Sequence, residues 1–182
     1  MDNDVLRRGK PTVHVQFGEA QALLAGDALQ AFAFELLTPD NTLIPAAMQA
    51  ALCRLLARAA GSAGMAGGQA IDLASVGVAL TEAQLRQMHR LKTGALLQGS
   101  VLMGALCGHA APTAYQALSD YGAAMGLAFQ VVDDILDVVA DSATLGKTAG
   151  KDAAADKPTY VSLLGLEPVS YTHLRAHETS LH

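Results

Sequence analysis

Apolar positions along this chain recur every three or four residues rather than every two, which predicts helices throughout and no convincing alternating strand. Residues 17–38 read as one long apolar-rich helix. A second spans 42–60, entered through Asp40 or Asn41, with Pro45 in its first turn. Thr81 followed by Gln84 makes a capping box that opens a helix over 82–106. Pro112 opens another, running to about residue 140, because its missing N–H costs nothing at a first helical position. A further helix starts near Pro158. Residues 61–68 are rich in glycine but lack the preceding strand and following Gly-Lys-Ser/Thr of a phosphate-cradling loop, so they read as a flexible interhelix connection. The fold class that follows is all-α: an antiparallel helical bundle whose ligand and metal sites lie between facing helices, around a central cavity.

One segment departs from the apolar pattern. Gln130, Asp133, Asp134 and Asp137 fall at i, i+3, i+4 and i+7, while Phe129, Val131, Val132, Ile135, Leu136, Val138 and Val139 cover the rest of the helix. The helix reads as buried with a single polar seam. Carboxylates four residues apart repel by roughly 0.2–0.5 kcal/mol even in water, and desolvation raises that cost. A hard divalent cation relieves it. Magnesium takes carboxylate oxygens, keeps several waters and bridges protein acids to substrate phosphates. After this helix, Lys147, Lys151 and Lys157 supply the opposite charge in a stretch rich in Gly, Ala, Thr and Asp.

These residues carry a resemblance. The run from Gly126 to Asp137, with Thr144-Leu145-Gly146-Lys147 and Lys157-Pro158-Thr159-Tyr160, is similar to the second aspartate-rich region of the trans-isoprenyl diphosphate synthases, of the bacterial farnesyl or geranylgeranyl type. Other stretches match in the same order. The segment from Asp2 through Arg7-Arg8-Gly9-Lys10-Pro11-Thr12 resembles the end of the first aspartate-rich motif and the basic pair after it. Phe17 to Leu29 resembles the next helix. Gly64-Met65, Gly67-Gly68-Gln69 with Asp72, and His89 to Gly94 complete the pattern.

The resemblance implies an isoprenoid-synthase-like bundle, incomplete here, that condenses isopentenyl diphosphate with an allylic diphosphate. Magnesium would be held by Asp133, Asp134 and Asp137 of the second motif and by Asp2, the surviving acid of the first. Arg7, Lys92, Thr93, Gln130 and Lys147 would contact the allylic substrate, mainly its diphosphate, with Lys92, Thr93 and Lys147 nearest the chemistry. Arg8 would contact the diphosphate of isopentenyl diphosphate. The resemblance also implies a homodimer, an internal position for Met1, and a family domain over 1–167. Residues 168–182 break the pattern, and the run from Val169 to Thr179 resembles a translated sequencing adapter, so His173, His177 and His182 carry no metal-site expectation.

Composition narrows the alternatives. A net charge of −5, with dispersed basic residues, excludes a general nucleic-acid binder. Cys53 and Cys107 lie in apolar helical runs, as reduced thiols of a cytoplasmic protein would. No uninterrupted apolar span reaches membrane length. A non-catalytic, diphosphate-binding helical subunit would be free to lose Asp133, Asp134, Asp137 and Lys147, which are all present. A terpene cyclase would mix Asn, Ser or Thr into the second metal motif. His14 and His89 read as structural or surface histidines, and Phe32 and Phe34 as core or cavity residues.

Overall fold

A computed structural model describes residues 3–40, 44–139 and 158–169. The chain opens with a small antiparallel hairpin, β1 (Leu6–Arg7) and β2 (Lys10–Pro11), followed by α1 (Val13–Phe17) and α2 (Glu19–Leu37). Then come α3 (Ala46–Ala60), α4 (Met65–Ala74), α5 (Glu82–His89), a π turn (Arg90–Gly94), α6 (Ala95–Cys107), α7 (Pro112–Val139) and α8 (Tyr160–Leu164). The fold is all-α as the periodicity predicts, apart from the hairpin. Its two-residue turn, Arg8-Gly9, places both residues at positive φ (52° and 72°), the geometry that matches the twist of the flanking strands. Thr12 closes its base, donating from Oγ1 to the Asp4 carbonyl at 2.6 Å.

Several boundaries differ from the expected ones for local reasons. The helix expected over 17–38 is α2, which begins at Glu19; Gly18, at φ 95°, separates it from the short α1, which was not expected. Pro45 caps α3 from outside rather than lying in its first turn. The capping box forms as expected, with the Gln84 amide N–H donating to Thr81 Oγ1 and the Thr81 N–H to Gln84 Oε1. The helix it opens widens into the π turn at Arg90, a single wide turn of a kind often found at functional sites.

Only residues 61–64 of the 61–68 stretch connect helices. Met65 begins α4, and Gly68 lies where a β-carbon would strike the main-chain nitrogen of Lys92. Glycine here is the condition for α4 to cross the π turn backbone to backbone. A similar approach joins α7 to the π turn, since a β-carbon on Gly126 would lie 2.7 Å from Gly94 Cα. Farther along, Gln98 Nε2 donates to Ser119 O and Oγ at 3.0 and 2.9 Å. Gly94 faces Gly126 and Gln98 faces Gly122, so α6 and α7 run antiparallel.

The core cluster joins Leu85 and Met88 of α5 to Tyr160 and Val169, with Leu127, Val131 and Ile135 of α7 packed against it. Val169 lies just past the expected boundary at Glu167 and is buried; the segment from 170 onward lies outside the described residues. On α7 the expected burial is inverted. Asp134 and Asp137 are 2% and 5% exposed, while Phe129, Val138 and Val139 are more than half exposed. Asp134 turns inward to accept from the Gln130 amide and from the Tyr160 N–H at the start of α8.

Candidate active site

Three helices converge on the π turn and fix the side chains beside it. Lys92 leans toward α4, where its Nζ meets Asp72 Oδ2 at 2.9 Å; the Asp72 side chain is 4% exposed and that of Lys92 26%. Gln69, one turn earlier on α4, donates from Nε2 to the same oxygen at 3.2 Å. Thr93, the next residue, bonds to α7: its hydroxyl donates to Gln130 Oε1 at 3.0 Å. Gln130 Nε2 donates onward to Asp134 Oδ1 at 2.8 Å. The Tyr160 N–H, at the start of α8, donates to Asp134 Oδ2 at 2.8 Å.

The direction of this string follows from chemistry. An ionised carboxylate only accepts, so Asp134 turns the amide nitrogen of Gln130 toward itself. The amide oxygen then faces Thr93 and accepts a hydrogen bond from its hydroxyl. Gln130, Thr93 and Asp134 thereby fix one another, and one carboxylate ties α7 to both the π turn and α8.

Next to the string, His89 is 5% exposed and its ring lies 5.4 Å from that of Tyr160. Burial, reinforced by the Lys92 charge, lowers its pKa from 6.5 to about 4, with Asp72 and Asp133 pulling weakly the other way. His89 is thus a neutral core histidine at pH 7. Burial also raises the Tyr160 hydroxyl above its ordinary value, with Arg86 opposing.

Of the expected site residues, the structure joins Thr93, Gln130 and Asp134 in one hydrogen-bonded string, with Lys92 next to Thr93 on the π turn but paired with Asp72, Asp133 near enough to act on His89, and Asp137 one turn along α7. Arg7 and Arg8 lie on the exposed hairpin. Asp2 and Lys147 lie outside the described residues. Two residues with clear structural consequences had no assigned role in the sequence, Gln69 and Asp72. Their signal was the pair of polar groups, three positions apart, in the otherwise apolar and glycine-rich run 65–74. It is hidden once 61–68 is taken as a loop.

Among the described residues no three His, Cys, Asp or Glu side chains gather around one point as a closed metal cage. Asp133 and Asp137 nonetheless offer hard oxygens one helical turn apart on the seam. That donor set fits magnesium, which is commonly held by one or two carboxylates with phosphate oxygens and water completing its shell.

The fold is thus an α-helical bundle with an acidic seam on α7 beside a lysine-bearing π turn. The sequence model of the polyprenyl synthetase family matches residues 1–178, and the chain belongs to that family. It is 58% identical over 171 residues to a probable farnesyl diphosphate synthase of Bradyrhizobium diazoefficiens, covering 92% of this chain and 51% of that protein. With the farnesyl diphosphate synthase of Escherichia coli it shares 51% identity, covering 92% and 56%. Among solved structures, a Helicobacter pylori geranyltransferase complexed with magnesium and isoprenyl diphosphate superposes with a TM-score of 0.87 at 38% identity, covering 96% of this chain and 57% of that one. The chain spans about half the length of the curated relatives it matches.

Backbone proximity at the π turn is directly testable. Gly68→Ala is expected to destabilise the fold by about 2 kcal/mol, within the range for overpacking a filled site, and to broaden or shift the Lys92 and Thr93 amide resonances. Urea unfolding with amide NMR checks this; an unchanged midpoint and spectrum contradict the close crossing.

Proposed function

We propose that this chain carries the diphosphate-binding half of a trans-prenyltransferase that joins isopentenyl diphosphate to an allylic diphosphate, giving a short-chain prenyl diphosphate such as farnesyl diphosphate. The observation that carries this reading is the string Thr93–Gln130–Asp134, with Lys92 adjacent to Thr93 on the π turn and the Asp133–Asp137 seam on the same helix as Gln130 and Asp134. The family membership and the names of the relatives support it. The parent assembly is read as a homodimer acting in the cytoplasm. No helix among the described residues is long and apolar enough to cross a membrane.

In this reading Lys92 donates charge-assisted hydrogen bonds to diphosphate oxygens, as an ammonium with three donors can. Thr93 and Gln130 line the same position with polar atoms whose orientation Asp134 sets. Arg7 of the exposed hairpin faces the allylic diphosphate and Arg8 that of isopentenyl diphosphate, with Lys147 adding a further cation from the segment after α7. Magnesium would be held by Asp133 and Asp137, with Asp134 lending remaining lone pairs and Asp2 contributing from the first motif; it supplies charge to stabilise the departing diphosphate. No part in this chemistry is assigned to residues 168–182, of which Val169 packs in the core.

The test is condensation of isopentenyl diphosphate with labelled geranyl diphosphate in magnesium. It is run on this chain and on a chimera that adds the flanking segments of the Bradyrhizobium relative. The chimera is expected to form farnesyl diphosphate and to lose about a hundredfold or more in rate on Asp133→Ala, the scale of removing one group that stabilises developing charge. A folded chimera that binds geranyl diphosphate but never condenses it overturns the transferase reading in favour of a binding subunit, and a cyclised product would indicate a terpene cyclase.

A further inference from the structure

Lys92 is the cation on which the proposed diphosphate contact depends, yet a lysine has a long, flexible stem and does not hold one position unaided. Here it is held. Asp72, on a different helix and almost wholly buried, accepts a hydrogen bond from its ammonium at 2.9 Å. A buried carboxylate needs such a partner, and without it carries a large desolvation cost. Gln69 donates to the same oxygen at 3.2 Å, which fixes the carboxylate rotamer. Gly68 lets α4 lie directly against the π turn, so the acid is delivered by backbone packing and not by a mobile loop. The ammonium keeps two further protons, and the Lys92 side chain is partly exposed, so it has donors to offer.

We propose that Asp72 is a positioning residue, with Gln69 as its support: it anchors the Lys92 ammonium in place to receive a diphosphate oxygen. This rests on the reading of the cluster as a diphosphate site. It implies that Asp72 acts on ligand affinity only through Lys92.

A double-mutant cycle by calorimetry on the full chain tests it, with geranyl diphosphate and magnesium chloride as the probe. Lys92→Ala checks the underlying reading and is expected to weaken binding by more than about tenfold. Asp72→Asn is expected to weaken binding about tenfold in the wild-type background, in the range for groups that orient a ligand-binding side chain. In the Lys92→Ala background the same change is expected to alter affinity less than about twofold, the mark of coupled residues. Asp72→Glu is expected to recover most of the loss. Should Asp72→Asn not fold, Gln69→Ala carries the same comparison with a loss of about threefold.

Equal losses in both backgrounds would make Asp72 a general structural residue and overturn the proposal, as would tighter binding by Asp72→Asn, which would mean that the carboxylate competes with the ligand. A wild-type chain that takes up no geranyl diphosphate, or a Lys92→Ala variant that binds as well as wild type, instead overturns the diphosphate-site reading itself.

Discussion

Asp134→Ala is expected to destabilise the chain by about 4 kcal/mol, because it strands two donors that the fold has committed to one carboxylate. The Tyr160 N–H and the Gln130 amide lose their acceptors in a place only 2% exposed, and a buried donor left unsatisfied costs about 1–3 kcal/mol. Asp134→Asn keeps one acceptor oxygen but turns an amide nitrogen toward the other donor, so it is expected to lose about half as much. The damage should be regional. Docking of α8 and the tether between α7 and the π turn both pass through this residue, so the amides of Thr93 and Tyr160 should lose hydrogen-exchange protection together while α3 keeps its own. Urea denaturation with exchange mass spectrometry measures both effects. A loss below about 1 kcal/mol, of the size expected for an exposed residue, would show that the carboxylate is not a strut.

The helices were legible because their signals are local. The Thr81–Gln84 cap, Pro112 at a first turn and the spacing of apolar residues each act within a few positions, and each appears where expected. The acidic seam was legible for the same reason, since Gln130, Asp133, Asp134 and Asp137 share one face of one helix. What the spacing could not reveal was which way that face turns. At Asp134 the inward-turned face meets the main-chain N–H of Tyr160, 26 residues away in sequence.

Glycine misled for a related reason. In isolation a run such as 61–68 signals freedom, because glycine gives up the most conformational entropy on ordering. Gly68 instead provides room for Lys92, a property of a neighbour 24 positions on and invisible in the run itself. Missing the helix meant missing Asp72, because an acid acquires a role only when its partner is known. The π turn was hidden as well, since the sequence around Arg90 continues the helical pattern without a break.

Mild acid should weaken this protein through His89. The folded state keeps the imidazole neutral, with its pKa lowered from 6.5 to about 4 by burial and by the nearby Lys92 charge, and among the described residues neither ring nitrogen has a hydrogen-bond partner. Below pH 6.5 the unfolded chain takes up a proton that the folded chain refuses, so acid favours unfolding. The stability is fully present above the unfolded pKa and drains away as pH falls toward the folded one. At about 1.4 kcal/mol per pH unit between the two pKa values, the loss is about 2 kcal/mol by pH 5 and about 3 kcal/mol by pH 4. Asp72 and Asp133 also face the ring and limit the effect. His89→Phe keeps an aromatic ring against Tyr160 but cannot titrate. Its stability should therefore fall less than that of the wild type between pH 7 and pH 4.5, as measured by urea unfolding at each pH. Since His89 sits directly before the π turn, the wild type should lose geranyl diphosphate binding over the same interval, and the variant should retain it longer. Parallel pH profiles for the two proteins would mean that His89 is exposed enough in solution to accept its proton freely.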